Sequence, residues 1–528
     1  MMQTRRGFVA GTLLSTASLL GGCAPIPRAA DLDILIKGGR VVDGSGAPAQ
    51  TADVGIVADR IVSIARNLSS SRATTVIDAR GLVVAPGFID PHVHISNIAS
   101  LPVPQNFLRQ GITTLVNSLH SLQQPYPLGA YISSLSTAQN TVWTAGHTWL
   151  REHVLGLENR DPTDAELRKM QQIVAEAMDD GAIGLGTGLE YIPANYAKQA
   201  EIVALARAAH RPNTVYVTHM RDEGRALPEA LEEAIDIARQ VNIPVHISHL
   251  KSTGFSNAGN AQRILERIDE ANEQGIEVSF DVYPYDAYST YSSVLFPSWV
   301  LAGGTEAFSK RVADPSTLAR LKAEMPEIYR SQTLGSLDNV MFRSIGDDYS
   351  LAGRTLADWM RIKDRPQTLD AGFDALIELQ RQGGFIGVFR AMADSDIDAF
   401  ITHPKASISS DGDLVEFGKG FPHPRSYGAY PRVLGRYVRD RGLLTLEEAV
   451  AKMTSRPADF LRIQNRGRLK VGAFADIVIF DKDRVIDHAT FVQPHQYSEG
   501  VVHLLVNGTS VIYEEALTDA LPGLVLRR

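Results

Sequence analysis

Between residues 87 and 465, short apolar runs alternate with amphipathic helical stretches, and few folds accept that order. The runs end at Asp90, His120, His147, Glu190, His219, His249, Tyr285 and Ser410. Among the stretches between them, Asp164 to Asp179, Pro228 to Gln240 and Ala261 to Gln274 carry the helical period. Strand–helix alternation of this kind implies a parallel sheet with helices packed outside it. Eight such units predict an α/β fold of the (β/α)8 TIM-barrel type, with its chemistry at the C-terminal strand ends.

The first of these strands, Gly87-Phe88-Ile89-Asp90-Pro91-His92-Val93-His94, ends in His-x-His. Strand side chains repeat with period two, so His92 and His94 share one side and make a divalent-metal clamp. His120, His219 and His249 also stand at strand ends, and Asp411 follows the last strand in Ser409-Ser410-Asp411-Gly412. Several imidazoles with one carboxylate suit Zn2+ better than Mg2+ or Ca2+. Such a site activates water, and a neighbouring carboxylate can take its proton and pass it on.

Other histidines read differently. His246 lies three residues before His249, so strand parity sends it to the opposite face, toward the helices. His403 sits at the wrong end of the last strand, and His488, His495 and His503 lie in a C-terminal β region. All four read as structural. His147 ends a strand without an evident partner, and its reading stays open between supporting a ligand and packing.

Two β-rich pieces flank the barrel, at 32–86 and 466–528, and read as one small β-sandwich built from both chain ends. In the first piece Gly38-Gly39 reads as a turn. In the second, Gly467 to Val471 reads as a strand and Asn507-Gly508 as a hairpin turn. The barrel then occupies 87–465. About 110 residues separate its last two strands, far beyond an ordinary loop. The span 295–400, with helical stretches at Pro315 to Arg330 and Asp370 to Gln382, reads as an inserted lid.

Residues 1–23 read as a leader. Thr4-Arg5-Arg6-Gly7-Phe8 is a twin-arginine start, and an apolar stretch too short to span a bilayer follows to Leu20. Leu20-Gly21-Gly22-Cys23 resembles a bacterial lipoprotein processing box, so cleavage before Cys23 and lipidation of Cys23 are expected. Residues 24–31 would tether the fold to a periplasm-facing membrane surface. Ala24, not being acidic, favours the outer membrane. Cys23 is the only cysteine, which excludes an intramolecular disulfide and a thiolate active site in the body. A net charge of −8 gives no support to nucleic-acid binding.

In order and spacing, the whole mature chain, that is, the chain after removal of residues 1–22, resembles the amidohydrolase superfamily, and within it the D-aminoacylase (N-acyl-D-amino-acid deacylase) group. The matching stretches are Leu35-Ile36-Lys37-Gly38-Gly39, Pro86 to His94, Gly111-Ile112-Thr113-Thr114, Gly181 to Tyr191, Val217 to Gly224 and Ile247 to Lys251. Tyr283-Pro284-Tyr285, Ser410-Asp411-Gly412 and His423-Pro424-Arg425-x-Tyr427-Gly428 complete them. The resemblance implies one or two zinc ions, with His219 and His249 on the tightly held one. It places His92, His94 and Asp411 at a second, weaker position, makes Asp411 the general base and then acid, and makes Lys251, Tyr191, Tyr283 and Arg425 substrate contacts. The substrate would be an N-acyl-D-amino acid or a related D-configured peptide. A cyclic-amide hydrolase or dipeptidase shares the same metal set, and a non-catalytic binding lipoprotein is a third reading. One departure stands out. The group carries a cysteine about nine residues beyond the glycine of Gly-x-Thr-Thr, and here His120 stands there. Three histidines, His120, His219 and His249, can then form a one-metal site with an open position.

Overall fold

Parallel pairing carries the central architecture of the computed structural model, which describes residues 32–117, 124–254, 257 and 259–528. Phe88–His94, Ile112–Asn117 and Asn140–Trp143 pair in that order. The third strand resumes as Ala145–Gly146 and pairs with Gly184–Gly188. Val215–His219, Val245–Ile247, Val278–Val282 and Ala406–Ile408 follow, each parallel to its predecessor. Just past the last strand, Gly412–Asp413 lies parallel to Val93 and His94, which returns the pairing to the first strand. Among the described residues these eight strand positions form a ring, the expected parallel barrel.

The helices outside it form where the sequence gives them both an apolar face and a start signal. Asp164–Asp179 opens on a capping box of Thr163 and Glu166, and buries Met170, Ile173, Val174, Ala177 and Met178. Leu227–Val241 has Pro228 in its first turn and stops at Asn242 in the left-handed conformation. Both match the expected spans to within a residue or so at each end.

Strands from the two chain ends share one sheet. Among the described residues it has nine strands, and the seam is antiparallel pairing of Val83–Pro86 with Ile477–Phe480. Two expectations are corrected. Gly38-Gly39 is not a turn: Leu32–Val41 is a single strand whose register shifts between Ile36 and Gly39. Gly38 has φ +72°, and a side chain on Gly39 would put its Cβ 2.3 Å from Val84 Cγ2, so the glycines make a bulge against a neighbouring strand. Gly467 to Val471 forms no strand, because Gly467 turns at φ +74° with Thr454 O 2.6 Å from where a Cβ would lie. Asn507-Gly508 is a hairpin turn, with φ +48° and +76° as a two-residue turn requires.

Between the seventh and eighth barrel strands the chain builds a three-stranded antiparallel sheet from Ala287–Tyr291, Val340–Ser344 and Ile386–Arg390. The helices Pro315–Gln332 and Leu369–Arg381 accompany it. This sheet stands at the C-terminal face of the barrel and supplies one wall of the cavity described next. No helix among the described residues is long and apolar enough to cross a membrane.

Candidate metal centre

Two groups of donor side chains meet at the C-terminal ends of the barrel strands, each with its donor atoms within 4.8 Å of one another. The first is His92, His94 and Asp411. Strand parity brings the two imidazoles to one side, with Nε2 atoms 3.4 Å and 2.9 Å from Asp411 Oδ1. Asp411 has a left-handed backbone, φ +48°, a strained conformation for a residue with a side chain. The preceding residue is pinned from below: Ser410 N–H donates to Asp90 at 3.1 Å, and His92 N–H donates to the same carboxyl at 3.3 Å. Burial pushes the Asp90 carboxyl up to about 8.

The second group is His219, Glu223 and His249. His219 closes the fifth strand, Glu223 lies one turn later in the following loop, and His249 stands two residues past the sixth strand with φ +37°. His219 Nδ1 lies 2.8 Å from His249 Nε2, and His249 Nδ1 lies 3.1 Å from Glu223 Oε1. A layer of partners surrounds them. Glu190 Oε2 is 2.9 Å from His219 Nε2, and Gln332 of the inserted segment donates to Glu190 at 3.0 Å. Asp281 accepts the His249 backbone N–H at 2.8 Å and the Ser409 hydroxyl at 2.5 Å. His246 Nε2 lies 2.8 Å from the other oxygen of Asp281. His246 is therefore outside both donor groups and packs against Phe460, as parity required, but it also braces the carboxylate that fixes His249. The two donor groups adjoin, with the His92 and His249 rings 4.6 Å apart.

These residues fit a borderline divalent ion. Burial lowers His92 to about 3 and His219 to about 4, and burial with the Lys251 ammonium holds His249 well below its ordinary value. Neutral imidazoles with carboxylates close by are the ligand form zinc needs. Burial works to raise Asp411, but Arg425, with Nη1 2.5 Å from Asp411 Oδ2, and the surrounding histidines more than reverse this and keep it ionised.

The four expected substrate contacts converge on the same place. Tyr191 Oη is 3.4 Å from His219 Nδ1. Tyr283 lies between two cations, its ring centroid 5.7 Å from Lys251 Nζ and 5.0 Å from the Arg425 guanidinium. Both cations hold a carboxylate of the donor groups: Lys251 donates to both oxygens of Glu223 at 2.7 Å, and Arg425 pairs with Asp411. His423 fixes Arg425 by accepting its backbone N–H at 3.0 Å while donating from Nε2 to Ala287 O at 3.0 Å. A cavity of about 860 Å3 opens over this ground, lined by His94, His219, His249, Asp411 and residues of the inserted sheet.

His120 and Cys23 lie outside the described residues. His147 begins a helix, and its Nε2 pairs with Glu201 at 2.8 Å, away from both donor groups. Sequence reasoning missed Glu223 and Glu190 as members of the centre.

The amidohydrolase family profile matches residues 75–281 and 375–512, leaving out 282–374, nearly all of which lies between the seventh and eighth barrel strands. A D-aminoacylase of Alcaligenes xylosoxydans xylosoxydans is 35% identical over 524 residues, 94% of this chain and 98% of that protein. The crystal structure of an N-acyl-D-glutamate deacylase from Bordetella bronchiseptica, complexed with zinc and a phosphonate inhibitor mimicking the reaction's tetrahedral intermediate, superposes with a TM-score of 0.80. It is 32% identical, covering 94% of this chain and 100% of that one. A solved D-aminoacylase, with a binuclear metal centre described by one-metal activation and second-metal attenuation, has a TM-score of 0.79, 32% identity and the same coverage.

Proposed function

The chain belongs to the amidohydrolase family, and we propose that it is a zinc-dependent hydrolase of linear amide bonds, converting N-acyl-D-amino acids to a carboxylate and a D-amino acid. The observation that carries this reading is Asp411: an ionised carboxylate shared between the His92–His94 pair and Arg425, at the edge of a cavity sized for such a substrate.

His219, Glu223 and His249 would hold one ion, and His92, His94 and Asp411 a second. Bound there, zinc polarises the amide carbonyl and lowers the pKa of water. Asp411 takes the proton as the water oxygen joins the acyl carbon, and returns it to the nitrogen as the C–N bond breaks. Arg425 keeps Asp411 ionised for the first transfer. Lys251 and Arg425 bear positive charge in excess once their carboxylates serve as ligands, and that excess meets the substrate carboxylate. Tyr191 and Tyr283 border the space between them. The D-aminoacylase described by one-metal activation supports one ion sufficing for turnover.

The test is amine release by zinc-loaded protein from matched N-acetyl-D- and N-acetyl-L-amino acids. D-selective release that Asp411→Asn abolishes is expected. No release from either series, with zinc content verified, would overturn the assignment.

We further propose that residues 1–22 are a twin-arginine leader, that Cys23 is lipidated, and that the enzyme is held at a periplasm-facing membrane, with 295–400 as a lid over the barrel. Support comes from Arg5-Arg6 and from Leu20-Gly21-Gly22-Cys23. In cell fractionation Cys23→Ser should move the protein from membrane to soluble periplasm; equal membrane retention would sink the anchor.

A further inference from the structure

Four lysine and arginine side chains line the cavity among the described residues: Lys251, Arg343, Lys419 and Arg425. Each faces its own carboxylate, Glu223, Asp413, Glu416 and Asp411 respectively. The internal segments outside the described residues contain neither lysine nor arginine. The four pairs are of two kinds. Glu223 and Asp411 belong to the donor groups, so their cations answer to whatever those carboxylates bind. Asp413 and Glu416 belong to neither group: Lys419 and Glu416 form an exposed pair, with side chains 72% and 56% exposed, and the Arg343–Asp413 pair is closed.

Arg343 shows how completely. Its Nη2 donates to Asp413 at 2.7 Å, Nη1 to the Ser289 hydroxyl at 2.8 Å, and Nε to Phe421 O at 2.7 Å. The guanidinium thus joins the inserted sheet to the loop after Asp411, with its charge matched. Around it the inserted wall is uncharged: Thr290, Tyr291, Phe385 and Ile386. A substrate with a single carboxylate, the one beside the reacting nitrogen, can be met by the cations of the donor groups. At the inserted wall, away from the exposed Lys419, a second carboxylate on the side chain would have to take Arg343 from Asp413, leaving Asp413 without its partner.

Resting on the deacylase reading above, we propose that the Arg343–Asp413 pair restricts this enzyme to N-acyl-D-amino acids with neutral side chains, Asp413 occupying the arginine that an acidic side chain would use. The pair is a specificity determinant and takes no part in bond breaking.

N-acetyl-D-glutamine and N-acetyl-D-glutamate have nearly the same shape and differ at the side-chain end, an uncharged amide against a carboxylate, so they test the effect of that charge. With the zinc-loaded enzyme, kcat/KM for the glutamine substrate should exceed that for glutamate by about tenfold or more, mostly through KM. Asp413→Asn keeps the shape and exposes the charge of Arg343, and should shift the ratio toward glutamate by about tenfold. Adding Arg343→Gln to Asp413→Asn should remove that gain, which a merely structural role would not do. Parity or a glutamate preference in the parent enzyme overturns the proposal while the deacylase reading stands. So does an unchanged ratio in Asp413→Asn. Should Asp413→Asn fail to fold, the parent ratio alone decides. Release from neither substrate, nor from any other N-acetyl-D-amino acid, overturns both.

Discussion

The two donor groups have similar chemistry and different surroundings. His219, Glu223 and His249 are almost wholly enclosed, with side chains 5% exposed or less, and Glu190, Lys251 and Asp281 stand behind them. In the other group His92 is as enclosed, but His94 is 25% exposed, and Asp411, paired with Arg425, faces the cavity. Enclosure with a supporting layer favours retention of an ion. Openness beside an ionised carboxylate favours proton transfer to something that comes and goes. The contrast separates holding a metal from using it, although the nearest rings of the two groups are less than a side chain apart.

The sharpest way to break this division is to remove one member from each side. His249→Ala should strip the tightly held ion and reduce turnover to background, with metal content measured by atomic emission. Asp411→Asn should lower kcat by about 10^2 to 10^4 while leaving the enclosed site loaded. Equal metal loss in the two variants would show that the groups are one unit.

A smaller effect should follow from the layer behind. Asp281→Asn weakens the hold on the His249 backbone and on Ser409, and should cost about 10- to 100-fold in metal affinity or activity, read by competition with a chelator. The smallest effect is in pH dependence. His92 has its pKa lowered to about 3 from an ordinary 6.5 by burial, against the pull of Asp411 and Asp281, with His94 and His219 adding to the lowering. Between those values the unfolded chain binds a proton that the folded one does not, so His92 costs stability progressively as pH falls from about 6.5 toward 3. Metal-free parent and His92→Gln, compared by denaturant unfolding, should therefore diverge in the variant's favour through that window. A constant difference would mean that His92 gains its proton in the fold over the same pH range as in the unfolded chain.

The sequence made much of this visible because barrel chemistry sits at strand ends, and strand ends can be read. The period-two spacing of His92 and His94, the opposite parity of His246 and the residue before Gly412 all follow from backbone geometry. Glu223 escaped because it lies in a loop, where no period dictates direction. The pairing of Lys251 with Glu223 escaped because the two follow different barrel strands, the sixth and the fifth, and only the fold brings them together. Gly38-Gly39 was misread since a glycine pair that bends a strand and one that reverses it have the same composition. What decided between them was Val84, a residue of another strand.

The seam between Val83–Pro86 and Ile477–Phe480 imposes an order on synthesis. As the chain leaves the ribosome, the early strand emerges long before its mate, and its hydrogen-bonding edge stays open while the whole barrel and the inserted segment are made. An open edge is a template for pairing with the wrong chain. A messenger cut short, or a protease acting near the carboxyl end, would therefore yield a chain that retains every donor of both metal groups and still lacks a closed sheet, prone to clump with its siblings. The last strands to be translated thus act as a proof of completeness.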